Sequence, residues 1–243
     1  MPSGPPEAGY TSEAGYTSEA GHPTGATAWA VVVAGGSGTR FGGYKQFMAL
    51  AGREVVDWSL EAARRACAGV VLVVPAQVVE EYAGRAAAVV AGGPTRAQSV
   101  RSGLRAVPSE ARIIVVHDAA RPLSAPHMWV SVISAVEAGA DGAIPCIPVS
   151  DTIKQREDDG RLVTLERARL LAVQTPQAFS AAALRAAHAG GGEATDDAAL
   201  VEAIGGRVVH VPGEVSNIKV TAPVDLALAE TLMAVRAPAG GFS

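Results

Sequence analysis

The 243-residue sequence predicts an α/β fold in which helices cover both faces of a mostly parallel sheet. Short valine-rich runs alternate with helical patterns, and each run is apolar at consecutive positions, as in a strand that is buried on both faces. After residue 149 the pattern becomes polar and only weakly alternating, with a run of charges at 156–159. This change predicts a β-hairpin arm that protrudes from the domain.

The predicted elements begin at residue 30. The run at 30–34 is apolar throughout and ends at a glycine-rich segment, as expected for a buried strand that leads into a turn. Further strands are predicted at 69–74, 86–91, 112–117, 142–149 and 207–211, with a short strand at 217–220. Helices are predicted at 54–66, 95–107, 126–138, 180–189, 196–204 and 223–235. The arm spans about 150–168, turns at Asp159-Gly160, and is followed by a return through 170–175.

Residues 1–26 differ from the rest of the sequence because they repeat a short polar unit. EAGYTS occurs at 7–12 and at 13–18, and EAGHPT follows at 19–24. Three such copies are too short and too polar to bury a core. We therefore expect a disordered repeat tail at 1–26 and a single domain at 27–243.

Composition excludes several classes of protein. The formal net charge is −4, and no basic stripe stands out, which argues against a nucleic-acid partner. No uncharged apolar stretch approaches the roughly 18 residues that cross a bilayer, and the N-terminus lacks the features of a signal peptide. Cys67 and Cys146 fit no metal motif; two free thiols are favoured, and a disulfide stays open. We expect a cytoplasmic protein without a membrane partner.

Three loops carry most of the unusual chemistry, and each follows a predicted strand. They span residues 35–46, 92–99 and 118–124. Ligands of open parallel sheets bind beyond the carboxyl ends of the strands, where such loops meet. The sequence therefore predicts one binding site built from all three loops.

The first loop, GGSGTRFGGYKQ, combines glycines with two cations, Arg40 and Lys45. Glycines allow backbone N–H groups to converge on phosphate oxygens. The loop is not a P-loop, because Gln46 follows the lysine. Phe41 stands where a dinucleotide fingerprint needs glycine, and Pro75 ends the second strand in place of an acidic residue, which argues against a nicotinamide dehydrogenase. The alternative interpretation is a flexible connection with two solvated cations.

The second loop, GGPTRAQS, places Ser99 in the first turn of a helix. Its two glycines allow a flat ring to lie against the backbone, and Ser99 can hydrogen-bond a base or a ribose. The alternative is a plain helix start in which Thr95 is the N-cap.

The third loop follows the fourth strand and presents Asp118 and Arg121. Asp118 can bind a ribose hydroxyl or a metal-bound water. The alternative is a local pair between Asp118 and Arg121 that closes a turn. His117 is interpreted as a strand-end residue rather than a base. Lys219, on the predicted strand at 217–220, can be a site cation or an ordinary surface charge.

In their order along the chain, these motifs resemble the 2-C-methyl-D-erythritol 4-phosphate cytidylyltransferases over residues 29–235. The matching segments are 36–40, 45–46, Gly93 with Arg96 and Ser99, 117–122, 151–154, 174–177, 195–197 and 217–221. The string HDAARP at 117–122 resembles this family more than its ribitol-phosphate relatives.

The resemblance implies a Rossmann-like nucleotide-diphosphate-sugar transferase fold and the transfer of CMP from CTP to 2-C-methyl-D-erythritol 4-phosphate. It also implies Mg²⁺, held mainly by the CTP phosphates with Asp118 as a candidate ligand, and a homodimer formed through the 150–168 arm. The implied catalytic residues are Arg40 and Lys45, and the implied substrate-positioning residues are Arg167, Lys219, Thr175 and Thr195. The implied nucleotide-binding residues are Ala34, Gly35, Gly36, Ser37, Gly38, Gly93, Arg96, Ser99, Asp118 and Arg121.

The sequence departs from the family pattern in the first loop. The family usually has a longer segment between the arginine and the lysine, with proline just before the lysine; here Tyr44 precedes Lys45. Two alternatives to the implied activity follow. One is a cytidylyltransferase for another alditol phosphate such as ribitol 5-phosphate, and the other is a non-catalytic nucleotide-binding paralogue.

Overall fold

A computed structural model describes residues 27–36 and 44–236. The prediction of a disordered tail at 1–26 lies outside the described residues. The strands are β1 (Ala28–Val33), β2 (Ala49–Leu50), β3 (Arg53–Glu54), β4 (Gly69–Val74), β5 (Ala88–Ala91), β6 (Ile113–Asp118), β7 (Gly142–Pro148), β8 (Lys154–Arg156), β9 (Leu162–Thr164), β10 (Leu171–Val173), β11 (Gln177–Ser180) and β12 (Val208–Pro212). The α-helices are α1 (Val55–Ala66), α2 (Arg96–Ala106), α3 (Pro126–Glu137), α4 (Ala181–Ala189), α5 (Asp197–Ala203) and α6 (Pro223–Arg236).

The main sheet has eight strands in the order β10-β7-β11-β6-β1-β4-β5, and β12 pairs with β7. Strand β1 lies parallel between β4 and β6, β5 is parallel to β4, and β12 is parallel to β7. Strands β10 and β11 both run antiparallel to β7, where Val173 pairs with Cys146 and Ala178 with Ala143. The predicted mostly parallel α/β fold is confirmed.

Alternate residues of the central strands pack into two cores, one on each face of the sheet. Val32 of β1 packs with α1 and α3, whereas Val31 packs with α2, α4 and α5. All six residues of β6 are buried. The continuous apolar runs in the sequence are explained by this double burial, because neither face of a central strand meets water.

The predicted hairpin is present between β8 and β9. Gln155 pairs with Val163, and the turn places Gly160 at φ +82°, a conformation that glycine adopts without a steric penalty. The Asp159 carboxylate accepts a hydrogen bond from the Arg161 N–H at 2.9 Å and stabilises the turn. Every residue of the two strands is exposed. The hairpin therefore forms an arm at the position that the sequence predicts.

Two details of the sheet differ from the sequence prediction. Strand β11 was not predicted, because its four residues are too few for a recognisable period. The strand predicted at 217–220 is wrong: in this segment the N–H of Val220 donates to the carbonyl of Ala120 at 2.8 Å, but no ladder forms. A side chain, Asn217, provides much of the anchoring that a strand would obtain from backbone pairing.

The helices and cysteines are the features that bear on the remaining composition arguments. None of the helices within residues 27–36 and 44–236 is long and apolar enough to cross a bilayer. Cys67 and Cys146 are both free, as the sequence favoured. Burial raises the pKa of the Cys67 thiol to about 12, so this thiol is inert at neutral pH.

Candidate active site

A cavity of about 450 Å³ lies beyond the carboxyl ends of β1, β5 and β6. This is the edge of the sheet where the three loops were expected to meet. Its wall includes residues from all three loops and from the segment before α6. The predicted site residues that line it are Ala34, Gly35, Gly36, Lys45, Gly93, Arg96, Ser99, Asp118 and Lys219. Ser37, Gly38 and Arg40 lie outside the described residues.

The start of the first loop is held by a buried side chain, Gln46. Its amide nitrogen donates to the carbonyl oxygens of Ala34 at 2.6 Å and Gly36 at 3.1 Å. The neighbouring Lys45 lies in a 3₁₀ turn and lines the cavity. Lys45 is also near the start of α6. Burial alone would raise the pKa of Asp225, but hydrogen bonds from Thr221 and Ala222 and the charge of Lys45 lower it.

Tyr44, which departs from the family pattern, anchors the other end of the first loop. Its ring centroid lies 5.8 Å from that of Phe47, which in turn lies 4.6 Å from that of Tyr82. The Tyr44 hydroxyl accepts a hydrogen bond from Gln77. Tyr44 does not line the cavity. It therefore fixes the backbone just before Lys45 by packing, as a proline would by restricting φ.

The second loop is a capped helix start that also lines the cavity. The Thr95 hydroxyl accepts from the Gln98 N–H at 3.1 Å, and the Gln98 side chain accepts from the Thr95 N–H in return. The capping interpretation of Thr95 is thus confirmed. Ser99 is buried, and its hydroxyl accepts from the Gly93 N–H at 3.2 Å and contacts the Thr95 carbonyl at 3.0 Å. A Cβ at Gly93 would lie 2.4 Å from the Gln98 Cβ, so only glycine fits there.

Asp118 is the charged centre of the cavity. One of its carboxylate oxygens accepts from Arg96 Nε at 3.1 Å, and the other accepts from Lys219 Nζ at 2.6 Å. Burial would raise the pKa of Asp118, but the charges of Arg96 and Lys219 hold it well below its usual range. The alternative of a closed Asp118–Arg121 pair is wrong, because Arg121 instead donates to the carbonyls of Asn217 and Val173.

Lys219 reaches the cavity because the chain around it is pinned at both ends. The buried Asn217 amide donates to the Thr175 carbonyl at 3.0 Å and to the Gln174 side chain at 3.3 Å. On the other side, Val220 donates its N–H to Ala120. The interpretation of Lys219 as an ordinary surface charge is therefore not supported.

Beneath Asp118 lies a buried pair, His117 and Thr175. The Thr175 hydroxyl accepts from the Asp118 N–H at 3.1 Å and lies 3.1 Å from His117 Nδ1. The His117 ring packs 4.9 Å from Trp129, and burial lowers its pKa to about 3. The histidine is neutral at physiological pH and does not line the cavity. His117 is thus a buried residue at the end of β6, as interpreted, and the absence of a role as a base stays a prediction.

Four predicted residues do not line the cavity, and their roles stay predictions. Thr175 and Arg121 do not line the cavity, and their side chains instead make the contacts described above, with the Asp118 N–H and the Asn217 carbonyl respectively. Arg167 is exposed at the base of the arm, where it donates to the Ser150 carbonyl at 2.6 Å. Thr195 is exposed just before α5.

Gln46 and Asp197 are among the residues that build the site but were not predicted to belong to it. Gln46 holds the first loop, and Asp197 accepts from Arg96 Nη1 at 2.7 Å. Both stand in the quoted motifs, directly after Lys45 and within 195–197, but neither pattern indicates which partner the side chain will meet. The contact from Arg96 to Asp197 spans 101 positions and depends on the packing of α5 beside α4.

Comparison with known proteins decides the family. The model of the IspD family, 2-C-methyl-D-erythritol 4-phosphate cytidylyltransferase, matches residues 28–235. The chain belongs to this family. The relatives of that name include the protein of Rubrobacter xylanophilus, 43% identical over 219 residues, which cover 85% of this chain and 95% of that one. The protein of Frankia casuarinae is 44% identical over 86% of this chain and 82% of its own.

Solved structures agree with the IspD family assignment. The crystal structure of 2-C-methyl-D-erythritol 4-phosphate cytidylyltransferase from Thermus thermophilus superimposes with a TM-score of 0.73 at 36% identity. The match covers 84% of this chain and 98% of that one. The predicted nucleotidyltransferase fold and family are therefore confirmed.

A metal in this IspD chain would depend mainly on its substrate. Within the described part of the chain, no group of three or more His, Cys, Asp or Glu side chains could hold a metal ion. The cavity wall presents one carboxylate, Asp118, among the residues that the structure describes. Mg²⁺ prefers oxygen ligands and usually keeps waters and phosphate oxygens around it, so a single carboxylate beside a triphosphate fits its needs.

A second and larger cavity, of about 990 Å³, is separate from this site. It lies between α1, α3 and α6, and its apolar wall includes Trp58, Leu123 and Met233. None of the predicted site residues that the structure describes lines it. Its volume alone does not make it a site, because the arginines in its wall, Arg65 and Arg236, are paired with the acids Glu61 and Glu214 beside them.

Proposed function

We propose that this chain transfers CMP from CTP to 2-C-methyl-D-erythritol 4-phosphate in isoprenoid precursor biosynthesis. The products are 4-diphosphocytidyl-2-C-methyl-D-erythritol and pyrophosphate. The observation that carries the proposal is the convergence of Lys45, Arg96 and Lys219 on one cavity with a glycine-lined wall. Membership of the IspD family supplies the two substrates.

The reaction needs charge neutralisation more than it needs a base. The phosphate of the alcohol substrate attacks the α-phosphorus of CTP in line, the new P–O bond forms, and pyrophosphate leaves with the electrons of the broken bond. A phosphate monoester is already anionic near neutral pH, so no proton has to be removed from it. The barrier comes from bringing two anions together, and fixed cations lower it by positioning and electrostatic stabilisation.

We assign a separate task to each cation. In the proposed reaction Lys45 neutralises charge on the α-phosphoryl group and the leaving pyrophosphate, and the family resemblance gives Arg40 the same task. Lys219 breaks its bond to Asp118, and its ammonium group then holds the phosphate of the acceptor. Asp118 then has a free oxygen for a substrate hydroxyl, while Arg96 still neutralises its charge.

Nucleotide recognition relies on the second loop. We expect a cytosine ring to lie against the wall formed by Gly93 and Ser99, because the Ser99 side chain is drawn into the loop by its hydrogen bond from the Gly93 N–H. The N–H of Ala34 donates to the Val73 carbonyl at 2.7 Å, so we expect the backbone of Gly35 and Gly36 to offer N–H groups to the phosphates. Mg²⁺ would be held by the CTP phosphate oxygens with Asp118 as a candidate protein ligand, and it would neutralise charge on the phosphates.

The arm supports a homodimer. Its surface and that of β10 expose large apolar side chains, among them Leu162 at 60% and Leu171 at 46% exposure. Exposed apolar residues mark an interaction surface where they form one patch, and we propose that these side chains do so. In the proposed dimer, formed through the 150–168 arm, Arg167 positions the acceptor phosphate in the site of the partner. A cytoplasmic location, where both substrates are soluble, completes the proposal.

The test is a pyrophosphate-release assay with CTP, Mg²⁺ and either methylerythritol phosphate or ribitol 5-phosphate. We expect release with the first acceptor and at least tenfold slower release with the second. Faster turnover of ribitol 5-phosphate would replace the proposed acceptor. CTP binding without turnover of either acceptor would indicate a non-catalytic paralogue.

A further inference from the structure

Asp197 is a buried carboxylate that contacts the wall of the nucleotide cavity from behind. It is the first residue of α5, and its side chain is only 1% exposed. One oxygen accepts from Arg96 Nη1 at 2.7 Å, and the other accepts from His188 Nε2 at 2.9 Å. Asp197 itself does not line the cavity.

A buried carboxylate is costly unless it is fully paired, and here both oxygens have a partner. His188 lies in the last turn of α4 and is also buried. Because its Nε2 faces a carboxylate, this nitrogen carries the proton and donates it. The histidine therefore fixes the carboxylate in one orientation, and the carboxylate presents its second oxygen to Arg96.

Arg96 is thus held at two points by two acidic residues. Its Nε bonds Asp118 inside the cavity, and its Nη1 bonds Asp197 behind it. The Asp118 contact is shared with the proposed reaction, since the other oxygen of Asp118 holds Lys219 and takes a substrate hydroxyl in its place when the substrates bind. The Asp197 contact is remote from the substrates and can persist throughout.

We propose that Asp197 is a positioning residue that fixes the Arg96 guanidinium for CTP binding, with His188 as its support. The inference rests on the proposed function, because it takes Arg96 to be a nucleotide-binding residue. It adds that the affinity for CTP depends on a carboxylate that never touches the nucleotide. A guanidinium group that is held by two carboxylates can rotate more freely when one of them is removed, so it points less consistently at a ligand.

The experiment measures the affinity for CTP by calorimetry in the absence of acceptor. The variants are Asp197→Ala, Asp197→Asn, Arg96→Ala and the double variant Arg96→Ala with Asp197→Asn. We expect Asp197→Ala to weaken CTP binding about tenfold to 150-fold, the range for a hydrogen bond to a charged group. Asp197→Asn keeps the shape of the side chain and one acceptor oxygen, so it should fold well and weaken binding less, about threefold to tenfold.

The double variant separates positioning from a general loss of structure. If Asp197 acts through Arg96, Asp197→Asn should weaken binding less than twofold once Arg96 is alanine. The matched control is Glu202→Gln, which removes a carboxylate from the exposed side of the same helix and should bind CTP like the wild type. Melting temperatures of all variants are recorded alongside.

Either of two results overturns the inference: Asp197→Asn and Asp197→Ala bind CTP as tightly as the wild type, or the full weakening persists in the Arg96→Ala background. A wild-type chain that binds no CTP would overturn the proposed function as well. Wild-type CTP binding and turnover, with unchanged affinity in the Asp197 variants, would remove only the inference.

Discussion

Lys219→Ala is the substitution for which the structure gives the sharpest expectation. The Lys219 ammonium group lies 2.6 Å from Asp118, yet its side chain is 41% exposed. In the proposed reaction it exchanges this carboxylate for the acceptor phosphate. The substitution should therefore affect substrate binding far more than it affects the fold.

The magnitude follows from these two environments. Only the Lys219 end of the ion pair is exposed, but buried Asp118 keeps its bond to Arg96 after the substitution, so the cost to folding should stay near the roughly 0–1 kcal/mol of a surface pair. A hydrogen bond between a charged group and a phosphate is stronger, about 1.5–3 kcal/mol, which corresponds to roughly a tenfold to 150-fold change in affinity. We expect the KM for methylerythritol phosphate to rise by that factor, with kcat changed less than about threefold.

The assay is steady-state pyrophosphate release at saturating CTP with the acceptor concentration varied. Arg105→Ala is the matched control, because Arg105 is exposed at the end of α2, where its guanidinium group bonds the Ser102 hydroxyl at 3.0 Å. The control should leave both constants within about twofold of the wild type. An unchanged KM for the acceptor in Lys219→Ala, with intact folding, would show that Lys219 does not hold the attacking phosphate.

Three further predictions follow from the same geometry. Lys45→Ala should lower kcat by roughly 10²–10³, as expected when one transition-state donor is removed, and unchanged single-turnover rates would reject its role. Mixing Arg167→Ala subunits with Lys45→Ala subunits should restore part of the activity, since one of the two sites in a heterodimer regains both residues; purified heterodimers without recovery would argue against a shared site. His117 titrates near pH 6.5 when unfolded but has a pKa of about 3 in the fold, so the unfolded state binds the extra proton between these values. The free energy of unfolding should thus rise with pH across this window, by up to about 1.4 kcal/mol per pH unit from this residue. Urea unfolding of His117→Gln at several pH values should show a slope of this free energy against pH that is smaller by that amount. Identical slopes for the two proteins would contradict a neutral buried histidine.

The central sheet could be predicted because burial on both faces leaves a simple pattern. The valines of β1 and β4 form continuous apolar runs. An amphipathic helix would interrupt such a run with polar residues, so the runs indicate strands that are buried on both faces. Strand β11 could not be predicted from the sequence, because its four residues are stabilised by pairing with β6 and β7, which are distant along the chain. The segment at 217–220 has a strand-like composition, but Asn217 bonds side chains and carbonyls instead of forming a ladder.

The site was predictable where its residues follow strand ends. Asp118 and the glycines near residue 93 follow parallel strands, whose carboxyl ends meet at one edge of the sheet. Contacts between layers were not predictable in the same way. Nothing in the spacing of Arg96, His188 and Asp197 indicates that the helices bring them together, because each lies on a different helix.

A crystal structure of the chain with CTP and Mg²⁺ tests the central claim most directly. The claim is that cations from distant segments surround the reacting phosphates in the cavity of about 450 Å³. We expect the triphosphate in this cavity, with the Lys45 ammonium group within about 3 Å of a phosphate oxygen. A triphosphate bound elsewhere, for example between α1, α3 and α6, with no phosphate contact from Lys45, would contradict the account.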